Sequence, residues 1–156
     1  MNGERIGICS DHGGVELKKL ILDFLSLTEY EVVDYGVAID NKNSVDYPDF
    51  AALLAADIAD GKIDRGIAIC GTGIGMCITA NKFAGVRAAS VWDEFTARMA
   101  REHNNANVLC LGARTINHHR AADYCKIWLD TEYEGGRHQQ RLNKIRNIEK
   151  HNFQPR

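Results

Sequence analysis

Regular alternation of strand-like and helix-like segments is the feature that most limits how this chain can fold. Short runs rich in Val and Ile, typical of buried strands, alternate five times with segments whose apolar residues recur at helical spacing. This alternation predicts an α/β fold, a three-layer α/β/α sandwich with a five-stranded parallel, Rossmann-like sheet. The predicted strands are 5–9, 31–35, 67–70, 86–91 and 107–111. The predicted helices are 14–28, 49–60, one that follows the glycine turn 71–75, 93–102, 117–130 and 137–150.

Length and composition narrow the class of protein. The chain has 156 residues, which fits one domain spanning 1–156, and its net charge of −2 argues against a nucleic-acid binder. Apolar runs are too short to span a membrane, and no signal-peptide pattern opens the chain, so we expect a cytoplasmic protein without membrane partners. The five cysteines form no C-x-x-C pair, which favours reduced thiols over disulfides or zinc ligands.

One glycine-rich turn is the strongest candidate for chemistry. The third strand ends at Cys70 and leads through Gly71, Gly73 and Gly75 into an apolar, helix-like run. Such a turn offers free backbone N–H groups and the positive end of a helix dipole, and both stabilise an anion. The same field favours the thiolate form of a cysteine. The other four cysteines are interpreted as packing residues.

Two other interpretations of this turn remain open. A dinucleotide site is disfavoured because the spacing is G-x-G-x-G, follows the third strand and lacks the usual G-x-G-x-x-G, although Asp93 lies at the expected distance. A purely structural role is also open, since tight strand-to-helix connections need glycine in any case.

Two polar pairs lie near the predicted sheet. Asp11 and His12 follow the first strand and are candidates for acid–base or binding roles, or for a helix N-cap and a solvated histidine. We expect this pair and Cys70 to share the carboxyl edge of the sheet. His103 and Asn104 combine a titratable imidazole with an amide donor, although a polar helix terminus would look the same.

The last predicted helix is basic on one side and apolar on another. Arg137 and Arg141 are four residues apart, so they share a face that could bind phosphate, although a solvated basic tail is the ordinary alternative. Leu142, Ile145 and Ile148 form an apolar stripe. We therefore expect this helix to pack on a partner subunit in an oligomer.

Taken together, several segments resemble ribose-5-phosphate isomerase type B over essentially the whole chain. That family belongs to a wider group of sugar-phosphate isomerases that includes the galactose-6-phosphate and allose-6-phosphate enzymes. Met76 occupies the place where one branch carries a catalytic glutamate, so the chain resembles the cysteine type. The matching segments are 10–14, 46–48, 70–75, 80–88, 101–104, 107–114 and 134–141.

The resemblance implies an aldose–ketose isomerase that interconverts ribose 5-phosphate and ribulose 5-phosphate without a metal or other cofactor. Cys70 matches the base that moves a proton between C1 and C2. His103 matches the group that helps to open the sugar ring, supported by Asp11 and Thr72. Asn104 matches a residue that stabilises the enediolate intermediate. Asp11, Thr72 and Asn104 are also implied to bind substrate.

The remaining implied contacts bind the substrate's oxygens. The turn from Gly71 through Gly73 to Gly75 matches the anion hole of the enediolate, and Tyr47 matches the substrate site. The family forms homodimers, sometimes paired into tetramers, with active sites shared between subunits. The residues implied to bind phosphate are His12, Arg114, Arg137 and Arg141.

The residues leave two rival functions open. A hexose 6-phosphate, such as allose or galactose 6-phosphate, could replace the pentose, since the loop 36–48 sets the length of the pocket. A non-catalytic module that binds sugar phosphates is the other alternative, and it would not exchange the substrate's C2 proton with solvent.

Overall fold

Five parallel strands form the centre of the protein. The computed structural model describes residues 3–153 and orders the strands β2-β1-β3-β5-β4. Every neighbouring pair is parallel, for example Ile8 of β1 beside Ile67 of β3. The strands are β1 (Arg5–Ser10), β2 (Glu31–Asp34), β3 (Arg65–Cys70), β4 (Ala88–Val91) and β5 (Val108–Gly112).

Within residues 3–153, five of six helices cover the two faces of this sheet, which confirms the predicted three-layer α/β architecture. Helices α1, α4 and α5 pack on one face, and α2 and α3 pack on the other. A short 3-10 turn at His12–Gly14 precedes α1. The helices are α1 (Val15–Leu25), α2 (Tyr47–Ala59), α3 (Ile74–Ala80), α4 (Glu94–Glu102), α5 (His118–Asp130) and α6 (Arg137–Asn152).

Side-chain size along the strands determines how closely the helices approach. Ile67 and Ile69 point to the α1/α4/α5 face, whereas Ala68 and Cys70 point to the α2/α3 face. On that second face a Cβ at Gly7 would lie 2.3 Å from Leu54 Cδ1. Helix α2 therefore packs directly on the strand backbone, and Cys70 is enclosed at the end of this narrow layer.

Parallel strands give the sheet two chemically different edges. All strands end at the carboxyl edge. The connecting helices run antiparallel to the strands, so their C-termini lie at the amino edge. The backbone N–H of Gly66, near the start of β3, donates to the carbonyl of Asn107 (2.8 Å), which fixes the end of α4 and its following turn at the amino edge. A six-residue strand separates the two edges by roughly 17 Å.

Several predicted boundaries are wrong by a few residues. The first helix ends at Leu25 rather than 28, because the chain leaves the helix in a turn at Ser26–Thr28. Helix α2 begins at Tyr47, inside the stretch predicted to be irregular, since Pro48 fits the first turn of a helix. Strand β3 begins two residues early at Arg65, and β4 begins at Ala88 rather than Val86.

Helix α6 lies mostly on the surface. It buries only His138 and Leu142, while Ile145 and Ile148 of the predicted apolar stripe are exposed. The Glu149 carboxylate accepts a hydrogen bond from the Gly85 N–H (2.9 Å), which holds the helix beside the loop before β4. Within residues 3–153 no helix combines the length and apolar character that crossing a membrane requires.

Candidate active site

Cys70 ends the central strand β3 and is held by its own turn. Its side chain is 4% exposed, and Sγ accepts a hydrogen bond from the Gly73 backbone N–H at 3.2 Å. That donor stabilises negative charge on sulfur, as the sequence predicted for a thiol beside a glycine turn. Gly73 adopts φ +76°, which favours glycine, and it is the N-cap of α3.

The turn fits because a second glycine makes room for it. A Cβ at Gly112, the last residue of β5, would lie 2.2 Å from Thr115 Oγ1 and 2.6 Å from the Thr72 backbone. A Cβ at Gly73 would lie 2.9 Å from the Leu111 carbonyl carbon. Sequence reasoning did not assign Gly112 to the site; the Gly-Ala-Arg sequence at the end of β5 was the available signal.

Asp11 and His12 lie at the same edge as Cys70, as expected. Asp11 is buried, and its Oδ1 accepts a hydrogen bond from the Gly13 N–H at 2.9 Å, so it caps the 3-10 turn. His12 is exposed, and its Nδ1 contacts the backbone of Val45 at 3.1 Å. The capping role and a place in the pocket are therefore compatible, because the cap uses one carboxylate oxygen.

The loop that contacts His12 is anchored from inside the protein. Lys18 is fully buried, and its Nζ donates to both carboxylate oxygens of Asp34 (2.7 and 2.8 Å) and to the Val37 carbonyl (2.7 Å). This anchor fixes the start of the 36–46 loop. The same loop places Val45 against His12 and leads into α2, whose first residue is Tyr47.

A cavity of about 400 Å³ at the carboxyl edge is shared by Asp11, Tyr47 and Cys70, whereas His12 does not line it. Tyr47 lies so close to Gly75 that a Cβ there would be 2.5 Å from the Tyr47 Cζ. Gly75 therefore makes space for an aromatic wall, in addition to its predicted place in the anion hole. The cavity is lined by Asp11, Tyr47, Cys70, Gly71, Thr72, Ile74, Gly75, Ile78 and Arg114.

Arg114 brings a positive charge to this cavity. Its backbone N–H donates to the Gly71 carbonyl (2.9 Å), and its guanidinium lies over the glycine turn, where a Cβ at Gly71 would be 3.1 Å from Nη1. Within residues 3–153 no carboxylate forms an ion pair with Arg114. An anionic ligand could therefore use this guanidinium fully.

A second cluster of predicted site residues lies at the amino edge. His103 follows the last turn of α4, and its ring stacks on that of His138, with 4.1 Å between centroids and 11° between planes. His138 Nε2 lies 3.1 Å from Glu134 Oε2. A hydrogen bond with Glu102, together with the charges of the two histidines, lowers the pKa of Glu134, which keeps it ionised.

The predicted phosphate ligands of the C-terminal helix also belong to this second cluster. Arg137 and Arg141 lie in the first turns of α6, and both are exposed. In the described part of the chain neither forms an ion pair with a carboxylate. Asn104 lines an apolar groove of about 460 Å³ beside Ile145 and Ile148.

The two clusters are therefore separated within one chain. Cys70 and its neighbours lie where β1, β3 and β5 end, whereas His103, Asn104 and the α6 arginines lie where those strands begin. The sheet between them is roughly 17 Å across. Cys70 and His103 cannot reach one sugar in the same subunit.

One group of side chains has the spacing of possible metal ligands. The ligand atoms of His103, Glu134 and His138 lie within 4.8 Å of one another. The two imidazole rings are stacked and nearly parallel, so their ring nitrogens point along parallel planes rather than at one point. A shared ion would require one ring to rotate out of the stack.

The other thiols differ from Cys70 in their surroundings. Burial raises the pKa values of Cys9 and Cys125 to about 12, in accord with packing roles. Cys77, which was also predicted to be a packing residue, is half-buried and packs against the core, and a hydrogen bond from Cys110 lowers its pKa to about 6. It lies outside the cavity that contains Cys70.

Comparison with known proteins identifies the family of this chain. The sequence model of the family described as ribose/galactose isomerase matches residues 6–145. The chain belongs to the ribose/galactose isomerase family. The matched span contains both clusters, including Arg137 and Arg141, and stops within α6.

Solved structures of the family superpose closely. Ribose-5-phosphate isomerase B of Clostridium thermocellum is 50% identical, with a TM-score of 0.90 over 94% of this chain and 98% of the other. The enzyme of Mycoplasma genitalium with bound ribulose 5-phosphate is 45% identical, with a TM-score of 0.90 over 96% and 99%. A relative found by sequence, D-erythrulose-4-phosphate isomerase of Pectobacterium atrosepticum, is 46% identical over 90% of this chain and 91% of its own.

Proposed function

We propose that this protein is an aldose–ketose isomerase that interconverts D-ribose 5-phosphate and D-ribulose 5-phosphate, with Cys70 as the base. The observation that carries the proposal is the cavity in which the Cys70 thiol, hydrogen-bonded to the Gly73 N–H, faces the Arg114 guanidinium. The chain is 45% identical to a relative whose structure holds ribulose 5-phosphate.

The reaction moves hydrogen within one sugar. The Cys70 thiolate takes the C2 proton of the open-chain aldose; the C2–H pair forms a C1–C2 double bond, and the carbonyl electrons move onto O1. A proton then passes from the C2 hydroxyl to O1, and the thiol returns its proton to C1 as the C2 carbonyl forms. General base catalysis is most efficient when the pKa of the base lies near the working pH.

Backbone donors stabilise the negative charge that develops on oxygen. The turn from Gly71 to Gly75 presents N–H groups at the start of α3, beside the cavity. Such preorganised donors stabilise an enediolate more than the neutral sugar, and that difference lowers the barrier. Thr72 and Asp11 line the same cavity and bind sugar hydroxyls.

The complete site is formed by two copies of the chain. The carboxyl-edge cluster of one subunit supplies Cys70, and the amino-edge cluster of its partner supplies His103, Asn104, Arg137 and Arg141. Exposed apolar side chains flank both clusters, with Ile74 and Ile78 beside the first and Ile145 and Ile148 beside the second. The unpaired arginines of the two clusters then converge on one phosphate.

A complementation assay tests activity and shared sites together. Cys70→Ala and His103→Asn chains are each purified, mixed, partly unfolded and refolded. If sites are shared in a two-fold dimer, half of the randomly mixed dimers contain one intact site, so about a quarter of wild-type activity returns. The same mixture remains at the level of the separate variants if each site lies within one chain, and a wild-type protein without isomerase activity contradicts the function itself.

A four-carbon sugar phosphate is the second candidate substrate. It is favoured by the 46% identity to the relative named D-erythrulose-4-phosphate isomerase. A hexose 6-phosphate is a further candidate because the family description includes galactose as well as ribose. Comparing kcat/KM for ribose 5-phosphate, erythrose 4-phosphate, allose 6-phosphate and galactose 6-phosphate ranks these substrates. A protein that only binds sugar phosphates would not exchange the C2 proton of the sugar with D₂O.

A further inference from the structure

His103 occupies a catalytic place in the proposed function, but little of its own surroundings fixes its ring. It caps the C-terminus of α4, and its backbone N–H donates to the Met99 carbonyl. Within residues 3–153 the imidazole makes no hydrogen bond and is only partly buried. A ring that must deliver a proton to a sugar oxygen needs a defined orientation.

The neighbouring ring of His138 is fixed from several sides. It is 5% exposed, and Nε2 contacts the Glu134 carboxylate at 3.1 Å. The Arg137 Nε–H donates to the same Nε2 at 3.4 Å, so the edge of the ring contacts both a carboxylate and a guanidinium. His138 is therefore held on its edge by Glu134 and on its face by His103.

The chain between α5 and α6 is shaped to bring His138 to this position. Gly135 and Gly136 both have positive φ values, +68° and +54°, so the chain turns sharply just before the helix. The Glu134 N–H donates to the Glu102 carbonyl (3.1 Å), which ties this turn to the end of α4 next to His103. The stack thus joins α4 to the first turn of α6.

We propose that His138 is a positioning residue, which orients the His103 imidazole for opening of the sugar ring through the stack, while the edge of the His138 ring is held by Glu134 and Arg137. This rests on the proposed function. Because Arg137 is the adjacent residue, the same helical turn aligns a phosphate ligand and the ring-opening group. The bound phosphate and the ring-opening group therefore have fixed positions relative to each other.

Assays that start from the two sugars of the reaction measure ring opening and proton abstraction separately. Ribose 5-phosphate is mostly a closed furanose, whereas ribulose 5-phosphate stays open because its O5 carries the phosphate. Isomerisation of ribose 5-phosphate therefore needs ring opening. Exchange of the C1 proton of ribulose 5-phosphate with D₂O needs only the Cys70 base and the enediolate site.

The test uses His138→Ala, which removes the stack, and His138→Phe, which keeps a flat ring but loses the ring nitrogen that contacts Glu134 and Arg137. We expect kcat for ribose 5-phosphate to fall roughly 10- to 100-fold in His138→Ala, with less loss in His138→Phe. Exchange from ribulose 5-phosphate should stay at the wild-type rate in both. In a His103→Asn background, His138→Ala should add no further loss.

Two results overturn the inference. Equal losses in ring opening and in exchange would show that His138 only supports the fold or the phosphate site. Additive losses with His103→Asn would show that the two residues act independently. If His138→Ala does not fold, His138→Phe alone decides the question by the same comparison. Wild-type protein that turns over neither sugar refutes the proposed function instead, and that outcome is separate.

A spectroscopic control tests the positioning without turnover. In wild-type protein the His138 ring current shifts the ring protons of His103, because the rings are stacked at 4.1 Å. His138→Ala should move the His103 signals toward ordinary values and broaden or average them, while signals of the exposed His151 stay unchanged. Unchanged His103 signals would exclude the stack in solution.

Discussion

The carboxyl-edge cluster around Cys70 and the amino-edge cluster around His103 are built in different ways. The first consists of strand ends and a glycine turn, where the backbone fixes each group and Cys70 is 4% exposed. The second consists of side chains at helix ends, and its arginines lie on a helix that buries only two side chains. In the proposed function the proton transfer at carbon uses the first cluster, whereas phosphate binding uses the exposed second cluster, which a partner subunit would enclose.

The strongest test of this contrast removes the thiol. We expect Cys70→Ala to lower kcat at least ~10³-fold with an unchanged fold, since positioned acid–base groups contribute up to about 10⁴-fold. Steady-state kinetics with ribose 5-phosphate and a circular dichroism spectrum measure both properties. Cys125→Ala, which removes a buried thiol from the opposite face, should keep its turnover. Near-normal turnover in Cys70→Ala would remove Cys70 from its role.

A backbone change should damage the rigid cluster almost as much. Gly73→Ala places a Cβ 2.9 Å from the Leu111 carbonyl carbon at a φ of +76°, so we expect roughly 100-fold lower kcat and a loss of about 1–3 kcal/mol in the free energy of unfolding. Gly85→Ala is the matched control, because Gly85 has φ +80° with no atom within 4 Å. Equal effects on kcat in both variants would contradict the close-packed turn.

Changes in the second cluster should affect binding more than the chemical step. Arg137→Ala and Arg141→Ala should each raise KM roughly 10- to 100-fold with a smaller change in kcat, because a charge-assisted hydrogen bond is worth about 1.5–3 kcal/mol. Arg146→Ala, on the same helix, is the control for a lost surface charge. The phosphate assignment fails if inorganic phosphate inhibits the variants as strongly as it inhibits wild type.

A change at His103 separates ring opening from proton abstraction at carbon. His103→Asn should lower kcat for ribose 5-phosphate by about 10- to 100-fold and leave D₂O exchange from ribulose 5-phosphate unaffected. His151→Asn, an exposed histidine of α6, serves as the control. Matching losses in the two assays would assign His103 to the proton transfer at carbon rather than to the ring.

Local sequence patterns predicted much of the fold and of the first cluster. Each strand was recognisable as a short apolar run between helix-like segments, and the glycine turn after Cys70 stood out because its glycines follow a buried strand. The end of α1 at Leu25 and the start of α2 at Tyr47 were missed, since helix ends depend on single turns and caps. Gly112 was missed because its need for a small residue comes from Thr72 and Thr115.

The sequence by itself determined the α/β class, the thiol at a strand end and the basic first turn of the last helix, because these follow from periodicity and from neighbours along the chain. Only the tertiary structure decided that Cys70 and His103 lie at opposite edges of the sheet, since that separation depends on the direction of every strand and helix. It also placed His138 against His103. Contacts between residues far apart in the chain are set by packing, and no local pattern records them.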